Sequence, residues 1–165
     1  MTPRIRPARL DDLDDLLAIE RVFPTDRLGP RSFRHAMRSP TTDLLVSEGA
    51  NGAIGYVMIQ RRRRSGIAHL SSVAVRRGAA GMGLGKRLLR AAEAEARMKG
   101  CERLRLEVRA DNRKAQTLYQ KNGYHRVGII EEYYEDGEAA WRYEKALTGR
   151  AAPASSPKPT TPRRR

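Results

Sequence analysis

Apolar positions recur at two different periods along this chain, and the changes of period mark out its elements. Alternation is cleanest in ERLRLEVRA, residues 102–110, where Leu104, Leu106 and Val108 fall on one face and Arg105, Glu107 and Arg109 on the other. That is the pattern of a half-buried strand. TDLLVSE (42–48), AIGYVMIQ (53–60) and IAHLSSVAV (67–75) predict three more strands, the first two joined by the turn GANG and the last two by RRRRSG. Helical spacing appears in DDLDDLLAIERVF (11–23), with Leu13, Leu16 and Leu17 on one side and Asp11 and Asp12 at the positive end of the dipole. Pro24 stops that helix, and PRSFRHAMRS (30–39) predicts a second with Pro30 in its first turn. GKRLLRAAEAEARMKG (85–100) is rich in strong helix formers and ends at Gly100, and DNRKAQTLYQKNG (111–123) predicts a short helix ending at Gly123. PRIRPARL (3–10) reads as a first strand. YHRVGIIEEYYE and EAAWRYEKAL read as a closing hairpin turning at Asp136-Gly137, with Trp141 and Tyr143 on its core face. The order β α α β β β α β α β β predicts an α+β domain with helices on the faces of one sheet.

Length and composition change this picture only at the edges. The 165 residues fit one domain able to bury a core without staples. The single cysteine, Cys101, excludes an internal disulfide and a Cys-rich zinc site, and fits a reducing compartment. His35, His69 and His125 lie far apart and form no ligand pattern, so no metal is expected. No apolar run approaches the ~20 residues of a membrane helix, and the first residues lack a signal-peptide core, so the expectation is a soluble cytoplasmic protein without a membrane partner. From residue 149 onward the chain is basic and rich in Pro, Ser and Thr without apolar periodicity, which predicts a folded domain over 1–148 and a disordered tail over 149–165. Of the formal charge of +14, +5 lies at or beyond Arg150 and +9 before it, so the body is basic in its own right. Such a surface favours polyanions: a ribosome, RNA, or a heavily phosphorylated cofactor. Arg61–Arg64 is either a solvated turn or part of such a contact.

The stretch GAAGMGLGKRLL (78–89) places Gly81, Gly83 and Gly85 at alternate positions between a strand and a helix. A P-loop would need glycine at Ala80 and Ser or Thr at Arg87, and the dinucleotide fingerprint would need a third glycine at Lys86 or Leu88. Neither ATP nor NAD is supported. Loop N–H groups at a helix N-terminus form an inherent anion site, and Lys86 and Arg87 add charge. The residues alone leave a phosphate cradle and a plain tight turn both open.

VAVRRGAAGMGLGKRLL (73–89), followed by LRLEVRADNRKAQTLYQKNGY (104–124), resembles the acetyl-CoA-binding core of the GNAT N-acetyltransferases, and the element order from Pro3 to Leu147 follows that family. LEVRADN, LY, GY and YYEDGEAA resemble its RimI-type protein N-terminal acetyltransferases. The resemblance implies a GNAT fold: a mixed, mostly antiparallel sheet of about six or seven strands flanked by helices. The acetyl-CoA loop would join a central strand to the main helix. It implies transfer of an acetyl group from acetyl-CoA to an amine, here a protein N-terminal α-amine, by direct attack in a ternary complex. Val73, Ala74 and Val75 would lie along the pantetheine arm. Gly81, Met82, Gly83, Leu84, Gly85 and Lys86 would wrap the pyrophosphate, and Asn112 would sit against the cofactor arm. One departure stands out: Ala80 occupies the position of a Gln or Arg in the family signature. Arg76, Arg77 or Arg87 could stand in for that side chain.

The resemblance also distributes the chemistry. Glu107 would be the general base and Tyr119 the acid that protonates the departing sulfur. Read as ordinary residues, Glu107 is a strand carboxylate paired with Arg105 or Arg109, and Tyr119 a packed aromatic. Phe23 and Pro24 in IERVFPTD would bound the pocket for the first acceptor residue, with Tyr133 and Tyr134 approaching from the hairpin. Packing is the other reading of each, alternation placing one of the two tyrosines on the core face. Two rival functions remain: acetylation of a small amine or lysine side chain, and a degenerate GNAT-fold module that binds nucleic acid through its basic surface.

Overall fold

The computed structural model describes residues 3–79, 81 and 83–147. Ala80, Met82 and the expected tail over 149–165 lie outside the described residues. The elements are β1 (Arg4–Pro7), α1 (Leu13–Ile19), α2 (Pro30–Arg38), β2 (Thr42–Gly49), β3 (Gly52–Arg61), β4 (Ile67–Val75), α3 (Leu84–Met98), β5 (Arg103–Arg109), α4 (Arg113–Lys121), β6 (His125–Ile130) and β7 (Ala140–Ala146). Single 3₁₀ turns at Leu10–Asp12 and Glu20–Val22 flank α1, so the helix expected over 11–23 divides into three pieces. Side chains explain both breaks. Asp12 accepts the Arg9 N–H at 2.7 Å and a two-pronged bond from Arg6, which pulls the first turn toward β1. Glu20, 2% exposed, turns inward instead of continuing the helix surface.

One seven-stranded sheet runs in the order β1-β2-β3-β4-β5-β7-β6. Every neighbouring pair is antiparallel except β4 and β5, which are parallel because α3 crosses between them. The parallel register runs from Ile67↔Arg103 to Leu70↔Leu106 and stops there, although β4 continues to Val75 and β5 to Arg109. Above Leu70 and Leu106 the two strands therefore part, and the middle of the sheet opens as a wedge.

The two faces of the sheet are covered differently. On one, Leu70, Leu104, Leu106, Val108 and Tyr143 pack under Leu88, Leu89, Ala92 and Ala96 of α3, with Tyr119 of α4 in the same cluster. On the other, Leu16, Ile19, Phe33 and Ala36 from α1 and α2 cover Leu44, Val46, Tyr56, Met58 and Ala74. That second cluster takes no residue from β5, β6 or β7, so the polar residues of β5 and β7 stand beside α1 and α2 rather than under them. Leu88 is fully buried at the centre of the first face. Leu88→Ala is expected to cost about 2–5 kcal/mol, read as a lower denaturation midpoint with an unchanged slope.

The closing hairpin differs from expectation. Its strands end at Ile130 and resume at Ala140, so residues 131–139 form a loop rather than a two-residue turn at Asp136-Gly137. Glu132 has φ +49, which ends the strand, and Tyr133 and Tyr134 both donate their N–H to the Glu138 carbonyl at 3.1 Å. Neither tyrosine follows strand alternation. Arg61 also leaves the arginine turn: it belongs to β3 and pairs with Asp43 at 2.8 Å, while Arg62, Arg63 and Arg64 are exposed. Among the described residues no helix is long and apolar enough to cross a membrane.

Candidate functional site

The alternation of LRLEVR turns Glu107 away from the apolar core, and the end of the parallel register makes it the first β5 residue beside the wedge. Its side chain is only 6% exposed, and three neighbours hold it. His69 Nε2 on β4 lies 2.5 Å from Oε1, Arg142 Nε on β7 donates to Oε2 at 2.9 Å, and the Tyr133 hydroxyl approaches Oε1 at 3.4 Å. Arg142 stands directly opposite Glu107 in the β5–β7 ladder. Burial alone would push the Glu107 carboxyl up, but the hydrogen bonds and charges of His69 and Arg142 outweigh it and hold it below the ordinary value. The expected alternative partners are engaged elsewhere: Arg105 with Glu144, and Arg109 with Asp111 and Asp136.

Two loops flank this cluster. Glu20 accepts the Leu28 N–H and the Tyr56 hydroxyl, both at 2.6 Å, and Tyr56 in turn meets Ser72 of β4 at 2.6 Å. A buried carboxyl thus ties the loop after α1 to the strand that borders the wedge. Burial raises the Glu20 pKa, partly offset by its bonds to Tyr56 and Leu28. Within this loop Phe23 is half-buried against the α1–α2 cluster and Pro24 is exposed. On the other side Tyr133 and Tyr134 meet edge to face at 5.0 Å, with the Arg109 guanidinium 4.9 Å above the Tyr134 ring. The Tyr134 phenol is pushed up by burial and then by Tyr133 and Glu107, with a smaller contribution from Asp26 of the opposite loop.

The glycine loop leads into α3, and Tyr119 of α4 packs in the cluster on the α3-covered face of the sheet. Gly78, Gly81 and Gly83 have φ of +90, +88 and +72, and an added Cβ at any of them meets nothing within 4 Å. Backbone conformation, not crowding, demands glycine there. Gly85 differs, since its φ is helical and the nearest atom to a Cβ is Leu118 Cδ2 at 3.8 Å. Among the described residues no contact requires glycine at 85, where a Cβ would stand in ordinary van der Waals contact with Leu118. No side chain caps α3, its first bond is from Arg87 N–H to Gly83 O, and among the described residues the N–H groups of Gly83, Leu84, Gly85 and Lys86 have no partner. Donors so placed, with the helix dipole behind them, suit an anion. Of the three arginines that could stand in for the side chain at Ala80, Arg87 donates from its guanidinium to the Pro3 carbonyl at 2.8 Å.

Val73 and Val75 pack toward α3 and Ala74 toward α1 and α2. Along this stretch β4 pairs with β3 on one side only, so the backbone groups pointing at the wedge are left for an extended ligand. Tyr119 is 6% exposed, packed edge to face on Tyr124 at 5.6 Å, and burial pushes its phenol up. Among the described residues its hydroxyl has no hydrogen-bond partner. Asn112 caps α4, accepting the Ala115 N–H at 3.1 Å, while Gln116 ties the carbonyls of Arg109 and Ala110. Those bonds fix the turn that carries α4 beside the glycine loop.

His69, Arg142 and the Glu20–Tyr56–Ser72 chain are functional neighbours that sequence reasoning missed. A histidine and a serine, His69 and Ser71, alternating with Ala68 and Leu70 in a central strand, with Ser72 next, were the available signal, because polar side chains there must face a partner or a site. Among the described residues no cluster of His, Cys, Asp and Glu could hold a metal.

The family model described as acetyltransferase (GNAT) family matches residues 10–124. An N-alpha-acetyltransferase of Sulfurisphaera tokodaii is 30% identical over 151 residues, covering 84% of this chain and 89% of the relative. The N-terminal acetyltransferase A complex catalytic subunit NAA10 of Arabidopsis thaliana is 32% identical over 151 residues, covering 88% and 79%. The fold matches that of the ribosomal-protein-S18-alanine N-acetyltransferase from Escherichia coli, with TM-score 0.79, 24% identity, and 93% of this chain and 97% of the other covered.

Proposed function

This chain belongs to the acetyltransferase (GNAT) family and is an acetyl-CoA-dependent N-acetyltransferase; we propose that its acceptor is the α-amine at a protein N-terminus, attacked directly while both substrates are bound. The observation that carries the reading is the wedge itself. The Glu107–His69 pair stands beside it and the buried Tyr119 phenol lies in the cluster on the opposite face of the sheet, which suits a reaction with an arriving amine and a departing thiolate.

Acetyl-CoA supplies an activated thioester. The N–H groups at the start of α3, which have no partner among the described residues, and the edge of Val73–Val75 that β5 does not pair suit its pyrophosphate and its extended arm. Lys86 adds charge beside the phosphates, and Asn112 contributes by holding the turn into α4. Glu107, backed by His69, takes the proton that the amine nitrogen sheds as its bond to the acetyl carbon forms. Tyr119 gives a proton to the sulfur as the C–S bond breaks, so the two transfers balance. Phe23 and Pro24 bound the first acceptor residue, and Tyr133 and Tyr134 meet its backbone. Cys101 is no nucleophile in this scheme. It follows α3, whose 15 residues span about 22 Å from the glycine loop, and burial pushes its thiol up.

The pKa difference between acceptors favours the α-amine. With ordinary values of about 7.7–8.0 and about 10.4, roughly a tenth of α-amines are neutral at pH 7 but fewer than about one lysine in a thousand. A carboxylate held low is too weak a base to make up that difference. Two relatives named as N-alpha- or N-terminal acetyltransferases support the same choice. The basic surface, including exposed Arg62, Arg63 and Arg64, fits an enzyme drawn electrostatically to ribosomes or RNA.

Two measurements test this. Acetyl-CoA and CoA at about 100 times their dissociation constants should stabilise the protein by about 2.7 kcal/mol, while ATP and NAD leave its melting temperature unchanged. Gly85→Val should fold normally, because valine is a better helix former than glycine, yet lose most of that stabilisation. A Gly85→Val protein that keeps full acetyl-CoA stabilisation overturns the cradle. For the acceptor, peptides with a free N-terminus should be acetylated and N-blocked peptides with free lysines should not; the reverse result overturns the α-amine reading.

A further inference from the structure

A cavity of about 390 Å³ lies between α2 and the sheet, beside the Glu107 cluster but outside it. Met58, Gln60 and Ser71 form its floor, Arg31 and His35 its helical wall, and Leu28 its rim. Two of its lining residues neighbour the reactive centre along the chain or across the sheet. Gln60 pairs across β3–β4 with His69, the residue that holds Glu107. Leu28 belongs to the loop that carries Phe23 and Pro24, tethered by Glu20. Neighbouring strands lie about 4.8 Å apart and an extended chain advances about 3.3 Å per residue, so a polypeptide with its amine at Glu107 reaches the cavity within its next few residues.

The charge of the cavity has one sign. The helix α2, PRSFRHAMR, carries Arg31, Arg34, His35 and Arg38 and no acid, and all four of these side chains are exposed. Among the described residues none of the four makes a salt bridge. Acids on the neighbouring strands are already engaged: Asp43 by Arg61 and Lys99, Glu144 by Arg103 and Arg105, and Glu107 by His69 and Arg142. The hollow thus joins apolar side chains of Leu28 and Met58, which suit the methylenes of an acidic residue, to hydrogen-bonding groups on Gln60 and Ser71 and unpaired cations at the wall.

We propose that this cavity selects the acceptor: it receives an acidic side chain at the second to fourth position of the protein N-terminus being acetylated. The inference rests on the α-amine reading above and adds its specificity. Arg31 is the principal recognition residue.

The test uses the full chain with acetyl-CoA and peptides sharing one free N-terminal residue, with Glu, Gln or Lys placed in turn at positions two to four. Glu at one of these positions should lower KM roughly threefold to tenfold relative to Gln, and further relative to Lys, with kcat nearly constant. Arg31→Glu should invert the order so that Lys is preferred, while Arg63→Glu, in the exposed turn before β4, should leave the preference intact. Equal KM values for Glu, Gln and Lys at all three positions overturn the inference, as does an Arg31→Glu variant that keeps the preference for Glu. In both cases continued acetylation of the peptides leaves the α-amine reading standing. Failure to acetylate any free N-terminus overturns that reading and this inference together.

Discussion

Glu107→Gln is expected to lower kcat by about two to four orders of magnitude, the usual contribution of a positioned general base, with acetyl-CoA affinity unchanged. The substitution keeps the volume of the side chain and an oxygen for Arg142, so the neighbouring side chains keep their packing. What it removes is the negative charge that makes His69 Nε2 a donor and gives the amine's proton a destination. The loss should appear in kcat/KM as well, because it acts in the transition state rather than on binding. Calorimetric binding of acetyl-CoA beside steady-state rates checks both halves. A Gln variant with wild-type turnover would place the base elsewhere.

The same substitution has a stability signature whose sign follows from the pKa. Glu107 titrates below its ordinary value in the folded protein. Its pairing therefore contributes stability above the unfolded carboxylate pKa of about 4.3, and that contribution is lost as the pH falls through the lowered folded value. Acid titration should thus destabilise the wild type more than Glu107→Gln below about pH 4, and the two curves should run parallel near neutrality. Urea midpoints measured between pH 3 and 7 provide the comparison.

Tyr119→Phe is the second large effect, a fall in kcat of about a hundredfold with little change in stability. The ring stays in contact with Tyr124 and Tyr143, and the deleted hydroxyl has no partner among the described residues, so nothing buried is left unpaired. Because burial pushes its phenol up, Tyr119 stays protonated across the working range and can only donate. Replacing acetyl-CoA with a thioester of a more acidic thiol should restore part of the rate, since a better leaving group needs no proton. A phenylalanine variant with full activity, or one equally slow with both thioesters, would remove Tyr119 from the chemistry.

Much of this site is legible before folding, but unevenly. LRLEVR announces both a strand and the polar face on which Glu107 stands, because period-2 alternation is a local property. Counting along the chain locates the glycine loop and excludes two nucleotide motifs. It does not separate Gly83, which its φ requires, from Gly85, which no contact among the described residues requires. The partners of Glu107 escape the same treatment. Arg105 and Arg109 share its strand face, but β7 inserts between β5 and β6 and brings Arg142 level with Glu107, while β4 brings His69. Local turn chemistry also misplaces the turn at Asp136-Gly137, because the positive φ at Glu132 and the bonds to the Glu138 carbonyl end β6 early.

By itself the sequence determined the elements, their order, the basic charge and the residue types that acetyl transfer needs, since periodicity, capping and composition act within a few residues. Only the tertiary structure decided where the parallel pair opens, which side chains clamp Glu107, that Tyr119 packs on the opposite face of the sheet, and that a cavity walled by Arg31 lies beside the Glu107 cluster. Those depend on strand order and on which face each helix covers, contacts between residues tens of positions apart that no local pattern encodes.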